Sequence, residues 1–207
     1  MKTPQQEKIW NAIARKWYEF KTSPGKHTRD FLKGKTGKIL DLGSGAGRNL
    51  IGLKTKAELY LLDFSKEMIE LAKKRAKKEK IKAKFFVADA TKLPFEDNFF
   101  NCSICISLLH CIPTETKRKK VVKELYRVLK PGSETEISVW NKASKRFKNA
   151  PREKFISWRD KGKRYYYLYE PEEIYKLFES AGFKIIKKQA PDRNIIFVVE
   201  KPAKNMG

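Results

Sequence analysis

Cysteine is nearly missing from this 207-residue chain: three in all, an odd and small number that does not make a disulfide scaffold. Histidine is as scarce, with two, so a metal or redox site built on Cys102 and Cys105, spaced C-x-x-C, has few partners to draw on. The pair also falls in NCSICIS, a strand pattern, where an odd offset points the two sulfurs to opposite faces. Both read as small buried hydrophobes. Long apolar runs are missing too: the longest, 102–111, is interrupted by serines and too short to span a bilayer. The opening MKTPQQEKIWNAIARKW lacks the apolar core of a signal peptide. The expectation is a cytoplasmic protein without membrane contact. With no repeat and no low-complexity stretch, the whole of 1–207 reads as a single domain, long enough to bury around 70% of its unfolded surface.

Acidic residues are the last shortage, 24 against 47 basic, for a net charge of +23. Part of the excess is a solvated helix face, with Lys and Arg placed toward helix ends as the dipole prefers. Dipoles do not require +23, however, and a charge of that size implies a polyanionic partner, most simply nucleic acid. Adaptation to high temperature is the alternative, and the low count of three glutamines speaks for it.

What is present in strength is Asp41-Leu42-Gly43-Ser44-Gly45-Ala46-Gly47, after the apolar pair Ile39-Leu40 and before a short helical pattern over 48–53. Glycines two apart after a strand let the backbone turn tightly and approach a ligand with no Cβ in the way. A helix N-terminus behind them aims free N–H groups at the same place. The run ELYLLD (58–63) reads as a buried strand closing on Asp63, and AKFFV (83–87) as a third strand running into Asp89 and Ala90. The G-x-G-x-G spacing differs from the dinucleotide fingerprint, and no Lys-Ser/Thr pair follows to make a P-loop. Three acids at successive strand ends suit S-adenosyl-L-methionine: one orders the loop, one takes the ribose hydroxyls, one accepts from the adenine amino group. Each acid alone reads more readily as a turn residue or helix cap, but three in order are hard to explain that way.

Around this centre the periodicity predicts a helix over 7–20 with Ile9, Trp10, Ile13, Ala14 and Trp17 inward, and a short helix over 28–32. A helix over 65–80 capped by Ser65 and another over 114–130 follow. Strands are expected over 101–107 and 135–140, the latter after a Pro131-Gly132 turn. The segment 141–169 has no clean period and reads as an insertion. A helix over 171–181 and a hairpin of 184–189 with 195–200 complete an α/β architecture.

The motifs DLGSGAG, LLDFS, ADATKLPFEDNFFN and ELYRVLKPG together resemble the class I S-adenosylmethionine-dependent methyltransferases, over 38–140. The resemblance implies a Rossmann-like fold, a seven-stranded mostly parallel sheet with helices on both faces. It implies a cofactor site of Asp41, Gly43, Ser44, Gly45, Gly47, Asp63, Phe64, Asp89, Ala90 and Ser107, and no metal.

In open α/β sheets ligands bind at the carboxyl ends of the strands. Strand 101–107 ends near His110, which should then sit at the mouth as a capping or substrate-binding group; His27, in a polar loop, reads as solvated. Residues 142–164 carry ten basic side chains against Glu153 and Asp160, interleaved with Phe147, Phe155, Trp158, Tyr165 and Tyr166. Cations with aromatic platforms are what looped RNA demands, although the aromatics equally suit an irregular cap packed on the sheet.

The pieces WNAIARKWYEF, SLLHCIPTETKRKKVVKELYRVLKPG, Val139-Trp140, RYYYLY (164–169) and the DRN turn (192–194) are similar to the tRNA wobble-uridine carboxymethyl methyltransferases. That similarity implies esterification of a carboxymethyl group on the wobble uridine of the tRNA anticodon loop. It implies catalytic roles for His110, Arg164 and Arg193, and substrate contacts from Tyr165, Tyr166, Lys21 and Asn194. It also implies a small zinc-binding activator protein as partner. The family's paired histidines read His110-Cys111 here, its RYYH ends in Tyr167, its early arginine is Lys21, and the aromatic after Asn194 is Ile195. Residues 1–35 would form a helical cap, and 141–169 the substrate-binding insertion. A small-molecule O- or N-methyltransferase and a non-catalytic RNA-binding module on the same fold remain the alternatives.

Overall fold

The computed structural model describes residues 6–158 and 161–203; Asp160, counted above in the charge of the insertion, lies outside them. Four apolar runs form the parallel heart of the sheet: β1 (Lys38–Leu42), β2 (Glu58–Asp63), β3 (Ala83–Val87) and β4 (Phe100–Ile106). The long strand β5 (Leu129–Trp140) joins β4 in parallel. In the insertion, β6 (Glu153–Ser157) and β7 (Lys163–Tyr167) pair as a separate antiparallel hairpin. The chain ends in β8 (Lys184–Lys188) and β9 (Asn194–Glu200), with β9 antiparallel to both β5 and β8. The seven-stranded order is β3-β2-β1-β4-β5-β9-β8, mostly parallel as expected, and it reverses direction between β1 and β4. At such a switch point two connections leave in opposite directions and a crevice opens beyond the strand ends.

Helices cover both faces. Leu32 of α2 (Lys26–Leu32) and Ala72 and Ala76 of α3 (Lys66–Lys78) bury Ile39, Leu59, Leu61, Cys102 and Ile104. Val121, Val122 and Leu125 of α4 (Glu115–Val128) and Ile174 and Phe178 of α5 (Pro171–Glu179) bury Leu40, Leu62, Cys105, Ile137 and Phe197 on the other side. Cys102 and Cys105 therefore lie on opposite faces, as the strand period requires. Ser65 caps α3 by accepting the Met68 N–H at 3.2 Å. The remaining helix, α1 (Gln6–Phe20), packs Ile13 and Ala14 against Met68 of α3. Among the described residues no helix is long and apolar enough to cross a membrane.

Three segments depart from the sequence pattern. The helix expected over 48–53 is one 3-10 turn, Arg48–Leu50, because Gly47 and Gly52 flank it at φ of +71° and +65°, outside helical space. The strand expected from 135 begins at Leu129; the pairing shifts between Phe100 and Cys102, so the Pro131-Gly132 segment is absorbed as an irregularity inside β5. His27 is only 20% exposed at its side chain, and its Nδ1 lies 3.2 Å from Glu136 Oε1, rather than in solvent.

Candidate active site

At the end of β1 the backbone turns at Gly43 with φ +72°, and the Gly43 and Ser44 N–H groups both donate to Leu62 O, at 2.8 and 3.0 Å. A Cβ on Gly43 would lie 2.8 Å from Leu108 Cδ1, whereas one on Gly45 would meet nothing closer than Trp17 Nε1 at 3.8 Å. The tight approach thus belongs to Gly43, and Gly45 is needed for its φ of +52°. Asp63, at the tip of β2, pins the loop: Oδ2 accepts the Gly45 N–H and Oδ1 the Ser65 N–H, each at 2.9 Å. Asp41 lies beneath the loop, where Oδ2 accepts from Asn49 Nδ2 at 3.1 Å and Oδ1 has no partner among the described residues.

Burial raises Asp41 to about 7 and Asp63 to about 6. An unfolded aspartate loses its proton near pH ~3.9, so from there to about 7 the folded chain holds more protons and Asp41 costs stability as pH rises. Asp41→Asn should therefore raise the melting temperature of the ligand-free protein at pH 8 and leave it unchanged at pH 4. An equal loss at both pH values would show that the Asn49 contact, not the buried charge, dominates.

These strand ends floor a cavity of about 400 Å³, in the range of small-molecule sites. Gly43, Ser44, Gly45, Asp63 and Phe64 form one side, Asp89 and Ala90 another, and Ser107 with Leu108 a third. Ser107 holds φ +64°, a backbone state uncommon for a non-glycine residue, directly at the cavity wall. Trp10, Trp17 and Lys21 of α1 and its end form the roof. The wall bearing Asp89 is gripped from α4. Glu124 accepts the Leu93 N–H at 2.7 Å, while Arg127 donates to Phe95 O and Asp97 Oδ1 at 2.8 Å and to Leu93 O at 3.1 Å. The ELYR piece of the sequence motif is this clamp.

Beside the cavity lies an aromatic layer. Tyr166 stacks on Trp140 at 4.3 Å, and Trp140 on His110 at 4.8 Å and Phe147 at 5.0 Å. His110 is 1% exposed, behind the cavity wall, and its Nδ1 accepts the Trp140 N–H at 3.2 Å. Burial lowers its pKa to about 3, so the ring is neutral and its proton sits on Nε2. Arg164, 5% exposed, lies 4.7 Å from the Trp158 ring, 5.1 Å from Tyr166 and 5.5 Å from Trp17. Trp17 thus belongs to both the roof and the arginine cage. Arg164 Nε, Tyr166 Oη, Trp158 Nε1 and Asn194 Oδ1 are buried without hydrogen-bond partners among the described residues.

The candidate residues separate into two groups. Gly43, Ser44, Gly45, Asp63, Phe64, Asp89, Ala90, Ser107 and Lys21 line the cavity; Asp41 and Gly47 are buried and do not line it. Arg164, Tyr166, His110 and Asn194, the register partner of Trp140, form the adjoining layer. Tyr165 points elsewhere, its hydroxyl 3.4 Å from Arg118 Nη1. Arg193 is exposed on the turn before β9. Two functional residues carried no signal of their own in the sequence: Arg48, which also lines the cavity, and Arg146, 5.5 Å from the Trp140 ring. Trp10 and Trp17 were legible only as inward residues of a helix.

A doubly wound sheet with a glycine loop at its switch point and acids at the next two strand ends is the fold of the class I S-adenosylmethionine-dependent methyltransferases. Residues 39–132 match the Methyltransferase domain family. A tRNA (carboxymethyluridine(34)-5-O)-methyltransferase of Arabidopsis thaliana is 37% identical over 102 residues, 49% of this chain and 24% of that protein. The ubiquinone/menaquinone biosynthesis C-methyltransferase UbiE of Neisseria gonorrhoeae is 32% identical over 128 residues, 60% of this chain and 50% of that one. These alignments thus span between a quarter and a half of the curated relatives' own lengths. Among solved structures, a SAM-dependent methyltransferase of Methanosarcina mazei superposes with a TM-score of 0.75 at 19% identity, over 88% of this chain and all of that one. The putative methyltransferase complexed with the Trm112 activator of Haloferax volcanii gives 0.73 at 16% identity, over 98% and 99%.

S-adenosylmethionine is the cofactor that this fold implies. The cavity suits it: the volume is sufficient, a Gly43 side chain would fill the cradle, and the buried Asp63 carboxylate is an acceptor for a diol.

Proposed function

We propose that this chain methylates a carboxylate carried on tRNA, the carboxymethyl group of the wobble uridine. The observation that carries this reading is the unpaired cation group beside the cofactor cavity. Arg164 is buried yet forms no ion pair among the described residues, and Arg146 and Arg193 add positive charge close by. A buried cation without a partner is costly, so the arrangement calls for an anion from outside the chain. Bound S-adenosylmethionine supplies an electrophilic methyl group. The acceptor must supply the electron pair, and a carboxylate with pKa near ~4 is already ionised at neutral pH. A hydroxyl or carbon acceptor would need a base, whereas His110 is neutral, with Nδ1 engaged by Trp140.

Arg164 then orients the carboxylate bidentately, Arg193 and Arg146 face phosphate or carboxylate, and Tyr166 Oη and Asn194 Oδ1, without partners among the described residues, are offered to the base. The identity with the Arabidopsis enzyme supports the same acceptor; the similarity to UbiE supports a small-molecule acceptor instead. Labelled S-adenosylmethionine with carboxymethyluridine-containing tRNA should yield a nucleoside one methyl group heavier that reverts in mild alkali, as an ester must. An alkali-stable product, or methylation only of small phenols or quinones, would overturn the reading.

The edge of β3 supports an activator subunit. β3 pairs only with β2 among the described residues, and its last residue, Val87, is 52% exposed. Phe86, Phe99 and Phe100 instead pack inward around Tyr60. An open apolar edge invites an added strand. The isolated chain should be poorly soluble or inactive, and co-expression with a small zinc-binding activator should restore activity; Val87→Lys should block the rescue. A monodisperse monomer at full activity would remove this partner and leave the acceptor reading intact.

A further inference from the structure

The cofactor cavity is lined by charges of both signs, Glu7, Asp63 and Asp89 against Lys21, Arg48 and Lys117. Lys21 follows Trp17 by one helical turn, donating its N–H to Trp17 O at 2.9 Å with Nζ 5.1 Å from the Trp17 ring. Trp17 in turn stands over Gly45, its Nε1 3.8 Å from where a Cβ would lie. Arg48 leaves the other flank of the same loop, one residue beyond Gly47. The position of Lys21 is built: the buried Arg75 of α3 donates to Lys21 O at 3.2 Å and Tyr18 O at 2.9 Å, and stacks on the Tyr18 ring at 4.0 Å. Neither Lys21 nor Arg48 forms an ion pair among the described residues.

We propose that Lys21 and Arg48 form the subsite for the cofactor's α-carboxylate, gripping the amino-acid end from the two flanks of Gly45. S-adenosylmethionine carries two positive groups, the sulfonium and the ammonium, and a single anionic one. Placed beside this many cations it is repelled unless the carboxylate meets them, so the subsite also sets which way round the cofactor lies. The charged groups acting on Lys21 are Arg48 from the loop after β1, Arg193 from the turn before β9, Arg164 from β7 and Arg146 from the insertion. Burial first, and then these cations, lower Lys21 to about 8. An arriving carboxylate reverses that bias, and Lys21 takes up a proton.

The inference concerns the cofactor and not the acceptor, so its test needs no RNA. Calorimetric titration with S-adenosylhomocysteine and with its decarboxylated thioether analogue, at pH 8.5 in two buffers of different ionisation enthalpy, separates the possibilities. Wild type should favour S-adenosylhomocysteine by roughly tenfold or more, the worth of one charged hydrogen bond. It should take up part of a proton with that ligand and none with the analogue. Lys21→Met and Arg48→Met should each erase most of the preference while leaving analogue affinity unchanged. Lys21→Arg should keep the preference and abolish the proton uptake. Equal binding of both ligands by wild type, or parallel loss of both in the Met variants with no rescue by Lys21→Arg, would overturn the assignment. Proton uptake seen only when an anionic nucleoside is added would hand these cations to the acceptor and overturn it equally.

Discussion

Gly43→Val should abolish cofactor binding, while Gly45→Ala should weaken it only modestly. At Gly43 the new Cβ would sit 2.8 Å from Leu108 Cδ1 and 2.9 Å from Leu108 Cβ, and Leu108 is itself a wall of the cavity. The backbone there is at φ +72°, where an L-residue costs roughly 1–2 kcal/mol before any clash. It cannot relax freely, because the Gly43 N–H is bonded to Leu62 O of β2 at 2.8 Å. Relief must push Leu108 into the cavity or lift the loop off β2, and either closes the site. Gly45→Ala meets nothing nearer than 3.8 Å and pays only for its dihedral. Calorimetry with S-adenosylhomocysteine on both variants, with melting curves to confirm folding, is the check. Gly43→Val binding within threefold of wild type would show that the loop is not the cofactor cradle.

Arg164→Met should reduce methyl transfer to the RNA acceptor by about a hundredfold, the upper range for a lost charged hydrogen bond, with cofactor affinity within threefold. The substitution keeps apolar bulk among Trp10, Trp17, Trp158 and Tyr166 and removes only the charge. Because Arg164 has no ion-pair partner among the described residues, deleting a buried charge there should leave the melting temperature unchanged or higher. That combination, lower kcat/KM with equal or greater stability, marks an arginine kept for its ligand. Arg164→Lys should recover a small part of the rate, since an ammonium lacks the bidentate fork. A variant that melts earlier and loses cofactor and turnover together would mean that Arg164 is structural.

Most of the sheet was legible because its signals are local. The runs 58–63 and 83–87 are strands with the boundaries expected, Ser65 caps as a serine before a helical period does, and the C-x-x-C cysteines separate by strand alternation alone. The insertion was not legible. Its hairpin buries Arg164, Tyr165 and Tyr166 consecutively, so no alternation marks β7, while β6 shows only partial burial. The turn after the glycine loop misled for another reason: its apolar spacing suits a helix, but the glycines that flank it hold left-handed conformations.

By itself the sequence determined the α/β class, the glycine loop, the order of the acids at the strand ends and the excess of positive charge. Each is a property of neighbours along the chain. Only the tertiary structure decided that Lys21, Arg48, Arg146, Arg164 and Arg193 influence one point, and that α1 roofs the cavity with two tryptophans. It alone decided that His110 lies buried and neutral behind the wall. These depend on where segments more than a hundred residues apart come to rest, and like charges carry no pattern in sequence that foretells convergence. Their gathering costs folding free energy, which the packed sheet beneath them offsets and a bound anion would recover.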